Sequence, residues 1–177
     1  MLQGLHHVAY RCRDAAETVD FYTRVLGLPF AHALSNDTVA SIGEYSPHIH
    51  IFFEMGDGSY IAFFEVPVSL PSQRDPNTPQ WVQHLALEVA DEQTLLSSKA
   101  RLEACGVSVV GPTDHGFCLS IYFFDPNGHR LEMTLKTEAK GDRSRYAAQA
   151  PDVLRNWMER KARGDFHAKL GQAGVVQ

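Results

Sequence analysis

Leu5-His6-His7-Val8-Ala9-Tyr10-Arg11-Cys12-Arg13-Asp14 and Trp81-Val82-Gln83-His84-Leu85-Ala86-Leu87-Glu88-Val89-Ala90-Asp91 are one opening written twice. In both, a His is followed seven residues later by an Asp: His7 by Asp14, His84 by Asp91. Each stretch reads as a strand, and each Asp as the N-cap of the helix that follows. AAETVDFYTRVLG places Val19, Tyr22, Val25 and Leu26 at helical spacing before Gly27. EQTLLSSKARLEAC does the same before Gly106.

Working outward, the order of elements repeats as well. LPFAHAL, HIHIFFEM and SYIAFFEV follow the first helix, with Gly56-Asp57-Gly58 as a hairpin turn. VSVVGPT, LSIYFF and HRLEMTL follow the second, with Asp125-Pro126-Asn127-Gly128 in the equivalent turn. The fold class is therefore α+β. Two βαβββ modules (residues 4–67 and 81–136) form a curved mixed sheet with helices outside, joined by a proline-rich linker over 68–80. One module has too little apolar surface to stand alone, so two must pack within the chain or pair between copies, and a homodimer is expected. Residues 137–177 form a charged tail. A helix there, through Val153, Leu154, Trp157 and Met158, would cover an open sheet face or serve as a dimer contact or lid. Pocket shape is assigned to loops 33–47 and 67–80.

Composition narrows the partners. A net charge of −5 argues against nucleic acid and anionic membranes, which want a basic face. No apolar run approaches the roughly 20 residues of a membrane span, and the N-terminus lacks a signal-like apolar core. Three cysteines, Cys12, Cys105 and Cys118, have no CxxC spacing, so no disulfide framework is expected and a reducing cytoplasm is the natural setting.

The repeat also picks out candidate ligands. His7 and His84 each open the first strand of a module, and a pseudo-twofold axis would turn them toward each other. Glu132 lies four residues past the turn glycine Gly128. Two His and one carboxylate on strands suit Fe(II), Mn(II) or Zn(II). A lone strand His, or a lone Glu after a hairpin, is more often an ordinary hydrogen-bonded or solvated residue. The repeated placement raises all three above that background. Phe52, Phe53, Phe63, Phe64, Phe117 and Phe123 could wall an aromatic groove, although most such residues simply fill sheet–helix interfaces.

HHVAYRCRD…FYTRVLG, WVQHLALEV and YFFDPNGHRLEM resemble the vicinal oxygen chelate superfamily over residues 4–136. That group contains glyoxalase I, methylmalonyl-CoA epimerase, fosfomycin- and bleomycin-resistance proteins and type I extradiol ring-cleavage dioxygenases. The resemblance implies a divalent metal that chelates two neighbouring substrate oxygens as a Lewis acid. Fe(II) is the first expectation, with Mn, Zn, Ni or Co accepted by the same ligands. Glyoxalase I and the epimerase would place a Glu or Gln on the last strand of module one. Counting four from Gly58 leads to Ala62, which cannot coordinate. Glu65 lies three residues further, on the opposite face unless a bulge flips it. Three protein ligands leave three positions on an octahedral metal, enough for a bidentate catecholate and O₂.

The stretch Thr113-Asp114-His115 through Ile121-Tyr122 to Asp125-Pro126-Asn127-Gly128 and Glu132 resembles the extradiol dioxygenase signature. It implies His115 as an acid/base near neutrality and Tyr122 as a hydrogen-bond donor to a substrate oxygen. A plain loop His and a packed Tyr are the competing readings. Extradiol enzymes of this type carry a further His on the strand that here reads YIAFFEV. His48 and His50, on the neighbouring strand, either stand in for it or face solvent. The expected activity is dioxygenation of a catechol-like aromatic. A glyoxalase I-like lyase or epimerase/isomerase is the alternative, as is a non-enzymatic aromatic- or antibiotic-binding resistance protein.

Overall fold

The computed structural model describes residues 2–69, 75 and 77–166. Part of the proline-rich linker (70–74 and 76) and the last eleven positions of the tail (167–177) lie outside the described residues. The chain divides into a unit of Met1–Lys136 and a unit of Thr137–Gln177.

In the first module, β1 (His7–Arg11) leads into α1 (Ala15–Asp20), which continues as a π-helical turn over Phe21–Val25. Three strands follow: β2 (Phe30–Val39), β3 (Glu44–Glu54) and β4 (Tyr60–Glu65). The second module repeats this with β5 (Leu85–Glu88), α2 (Glu92–Ala104), β6 (Val110–Asp114), β7 (Cys118–Phe124) and β8 (Arg130–Lys136). Each module builds its own four-stranded mixed sheet, ordered β1-β4-β3-β2 and β5-β8-β7-β6. The first strand of each runs parallel to the last.

The helices start where the aspartates place them. Asp14 accepts from the Glu17 N–H at 2.8 Å and Asp91 from the Thr94 N–H at 2.7 Å. Each bond satisfies one of the free N–H groups of a first helical turn. One helix lies on one face of each sheet. The inward strand residues Ile51, Phe53, Ile61 and Phe63 join Ile121, Phe123, Leu131 and Met133 in one buried cluster with Tyr22 and Leu102. Tyr22 is fully buried and stacks on Phe53 with ring centroids 4.9 Å apart.

The β7–β8 turn fastens one module to the other. Asp125 is buried, and its carboxylate accepts from the N–H groups of Asn127 and His129 and from the Tyr22 hydroxyl of the other module at 3.2 Å. Asn127 accepts from the Arg13 N–H and donates to the Thr18 hydroxyl. His129 lies 2.8 Å from the Arg11 carbonyl. Gly128 has φ +85° and Gly58 φ +82°, so both equivalent turns need a residue without a Cβ penalty.

Two expectations are corrected. Residues 33–47 are not a loop. β2 and β3 pair as one long antiparallel hairpin from Phe30↔Phe53 to Val39↔Glu44, with register shifts between Phe30 and His32 and between Asn36 and Thr38. β2 is exposed over nearly its whole length, so the backbone ladder rather than burial carries the strands through this stretch. The strand expected from Trp81 begins only at Leu85. Its partner β8 pairs with it from Leu131, so residues 81–83 turn instead, and His84 sits just ahead of the strand.

The second unit carries α3 (Asp142–Ala162), longer than the tail helix expected from the apolar stripe. Val153, Leu154, Trp157 and Met158 are exposed, and Trp157 stacks on Phe166 at 4.4 Å. Among the described residues, no helix is long and apolar enough to cross a membrane.

Candidate metal centre

Register fixes the equivalence of the two sheets. Glu132 of β8 lies between Ala86 of β5 and Tyr122 of β7. In the first module, Ala62 of β4 lies in the same way between Ala9 and Phe52. Ala62 is thus the structural counterpart of Glu132, and it is fully buried. Side chains alternate across a strand, so these residues lie on the face opposite the helix.

Glu132 and His84 meet on that face. His84 Nε2 is 3.0 Å from Glu132 Oε2, and Glu132 is only 6% exposed. The other ring nitrogen, Nδ1, is 3.2 Å from the Val82 carbonyl. A carbonyl only accepts, so this contact favours the proton on Nδ1 and leaves the Nε2 lone pair facing an acceptor-only carboxylate. Such a contact wants a proton or a cation between its two atoms. An imidazole nitrogen and a carboxylate side by side are donors of the kind that hold a divalent metal.

The third sequence-derived ligand lies elsewhere. His7 belongs to the first sheet, where its Nδ1 is 2.7 Å from that of His6 and its ring is 6.1 Å from His50 and 5.9 Å from Phe52. Among the described residues of one copy, no three His, Cys, Asp or Glu converge as a metal-binding group. Within one copy, His7 stands apart from the His84–Glu132 pair.

His115 and Tyr122 do come together. His115 Nε2 is 2.7 Å from the Tyr122 hydroxyl. Burial, then the charge of Glu132, pushes the Tyr122 phenol above its ordinary value, so it remains a hydroxyl. The chain His115–Tyr122 thus ends beside the His84–Glu132 pair.

Glu65 faces away. Pairing of β3 with β4 runs without a shift from Ile49↔Glu65 to Glu54↔Tyr60, so no bulge turns it round. Its carboxylate accepts from the Ala15 N–H at 2.7 Å, at the start of α1. His50 lies on the candidate face, stacked on Phe64 with centroids 3.6 Å apart, and its Nε2 is buried without a hydrogen-bond partner. Burial first, then His7, His48 and His32, lower its pKa to about 4 and keep the ring neutral. Of the six phenylalanines considered for the groove, Phe53, Phe63 and Phe123 are in the core, Phe52 and Phe64 flank His50, and Phe117 is exposed. Sequence reading missed Arg130, whose guanidinium carbon lies 4.4 Å from the centre of the Tyr122 ring. Its position two residues before Glu132 was the available signal.

Two βαβββ modules, each with a helix on one sheet face and a His opening the other, define a paired-module α+β class. The chain belongs to the Glyoxalase/Bleomycin resistance protein/Dioxygenase superfamily, whose family model matches residues 4–133. MhqA of Bacillus subtilis (strain 168), named as a ring-cleaving dioxygenase, is 30% identical over 146 residues, covering 79% of this chain and 42% of MhqA. The chain thus spans less than half of that relative. Glutathione transferase FosA of Serratia marcescens is 31% identical over 134 residues, covering 75% of this chain and 81% of FosA. A glyoxylase/bleomycin resistance protein/dioxygenase domain from Frankia sp. EAN1pec superposes with TM-score 0.63 at 21% identity, over 77% of this chain and 99% of that one. The fosfomycin resistance protein FosX of Listeria monocytogenes, complexed with Mn(II) and sulfate, gives TM-score 0.55 at 21% identity, over 77% and 95%. These two structures establish likeness of fold.

Proposed function

We propose that this protein is a divalent-metal enzyme that chelates the vicinal oxygens of a small substrate, and that it works as an extradiol-type dioxygenase on a catechol-like aromatic. The observation that carries this reading is Ala62: a buried alanine stands where the repeat would supply a fourth ligand. His84, Glu132 and His7 would hold the metal, Fe(II) first among Mn, Zn, Ni and Co. The metal, when bound, supplies Lewis-acid polarisation of the two substrate oxygens and, as iron, redox partnership with O₂. His115 accepts or returns a proton at Nε2, and Tyr122 orients a substrate oxygen through its hydroxyl. Phe52 and Phe64 offer flat apolar surface to a ring. Because His7 lies apart from the other two ligands within one copy, the reading includes a homodimer in which His7 of one copy meets His84 and Glu132 of the second. The modules are taken as residues 4–67 and 81–136, bridged by 68–80. Three free cysteines support a reducing cytoplasmic setting.

Metal analysis of protein purified without a His tag, then anaerobic Fe(II) loading and O₂ uptake with a panel of catechols, tests this. Metal-dependent uptake is expected. An iron-loaded protein that consumes no O₂ with any diol refutes the dioxygenase assignment.

A second reading rests on the FosA match, which covers 81% of that relative against 42% of MhqA. It is non-redox addition or isomerisation on the same scaffold with Mn or another divalent ion. Turnover of a thiol with an electrophilic small molecule, without O₂ uptake, favours it.

A further inference from the structure

Arg130 is a cation on the wall of a cleft. It lies on β8 two residues before Glu132 and therefore on the same sheet face. Its guanidinium is stacked over the Tyr122 ring, and its Nε is buried without a hydrogen-bond partner. Among the described residues it forms no ion pair. A partly buried guanidinium ordinarily satisfies its five donors with carboxylates or carbonyls.

Among the described residues, the nearby carboxylates and His129 are occupied elsewhere. Arg130 lines a cleft of about 650 Å³ with Tyr10, Gln83, His84, Phe124 and His129. Asp75 lies on the same cleft, but its carboxylate accepts from the Thr78 hydroxyl and the Asn77 N–H. Glu132 is turned to His84, and His129 to the Arg11 carbonyl. The positive charge of Arg130 is left facing the cleft.

We propose that Arg130 anchors an oxyanion of the substrate, a carboxylate or similar oxyacid group, so that the cleft selects vicinal-oxygen compounds that also carry a negative charge. Stacking on Tyr122 holds the guanidinium plane in place, and a planar fork of donors suits bidentate contact with an oxyanion. Residues i and i+2 of a strand stand about 7 Å apart. That separation suits a ring bearing its charge at one end and its two oxygens at the other. The assignment of those oxygens to His84 and Glu132 rests on the proposed metal reading, whereas the oxyanion contact does not.

Two titrations separate these claims. In the first, benzoate and its neutral relative benzyl alcohol are added to metal-free protein while the arginine Nε–H resonances are followed by NMR. Benzoate should shift the Arg130 signal with millimolar affinity, and benzyl alcohol should not. Arg130→Gln should weaken benzoate binding by about tenfold or more, and Arg130→Lys, which keeps the charge but not the planar fork, should recover only part of that loss. Equal benzoate affinity in wild type and Arg130→Gln, or no shift at Arg130, overturns the proposal. In the second, Mn(II)-loaded protein is titrated with 3,4-dihydroxybenzoate and catechol. The charged diol should bind about tenfold more tightly, and equal affinities overturn the selectivity claim. Failure of Mn(II) to bind, with benzoate binding intact, removes the metal reading and leaves the oxyanion site standing.

Discussion

Glu65 and Glu132 lie on the last strands of equivalent modules, Glu65 at the end of β4 and Glu132 near the start of β8, and that difference in position puts them on opposite faces. Glu132 sits at the Ala62 position of its sheet and meets His84. Glu65, three residues beyond Ala62, caps the first turn of α1. Glu132→Ala is expected to cut Mn(II) affinity by about 100-fold with little change in fold. Glu65→Ala should leave Mn(II) affinity unchanged and lower stability by about 1 kcal/mol, the usual worth of a lost helix cap. Calorimetric Mn(II) titration beside urea unfolding reads both, and metal loss in the Glu65 variant would reinstate it as a ligand. Cys12 gives a separate test at high pH. Burial pushes its thiol up from 9.0 to about 11, against a smaller opposing pull from Thr18. The native state therefore holds the thiol proton more tightly than the unfolded chain does. This contribution is full below about pH 9 and is lost as pH rises to about 11. In urea melts across that window, wild type should lose stability relative to Cys12→Val. A constant difference would show that the thiol titrates normally.

At the scale of elements, the Asp125–His129 turn was legible as a hairpin but not as a joint. Its Asp-Pro-Asn-Gly sequence specifies a tight turn with a left-handed glycine. That it docks on α1 and β1 depends on the Tyr22 hydroxyl reaching Asp125 across 103 positions of sequence. Tyr22→Phe removes one partner of a buried carboxylate that keeps its bonds from Asn127 and His129. A loss of about 1–2 kcal/mol is expected in denaturant unfolding, with secondary structure intact by circular dichroism. No measurable loss would mean that the two modules do not depend on this bond. The strands and both helix starts were also legible, since alternation and capping are local properties. The inner parts of β2 and β3 were legible too, but their extension through residues 35–47 was not, because that stretch lacks the apolar alternation on which strand recognition depends.

At the scale of the whole molecule, the proposed function has a second copy complete the ligand set. In a twofold dimer with shared sites, His7 of one copy serves the His84–Glu132 pair of its mate. Mixing His7→Ala with Glu132→Ala protein then yields heterodimers with one site intact and one site doubly damaged. After refolding or subunit exchange, such a mixture should recover about a quarter of wild-type metal sites and activity. Each variant alone should recover essentially none. Absence of recovery in proven heterodimers would show that the three ligands do not assemble between copies.

The sequence by itself determined the duplication, the α+β modules, the two aspartate caps and the equivalence of His7 with His84, because all of these are short-range periodicities repeated at a fixed offset. It also marked Ala62, since counting from a turn glycine measures position along a strand. Only the tertiary structure decided that Glu65 serves a helix rather than a metal, that Tyr122 joins His115 while its ring carries Arg130, and that His7 stands apart from His84 and Glu132 within one copy. Those outcomes depend on which strands pair and which sheet faces are covered. Such relations arise between residues far apart in sequence, and no local pattern encodes them.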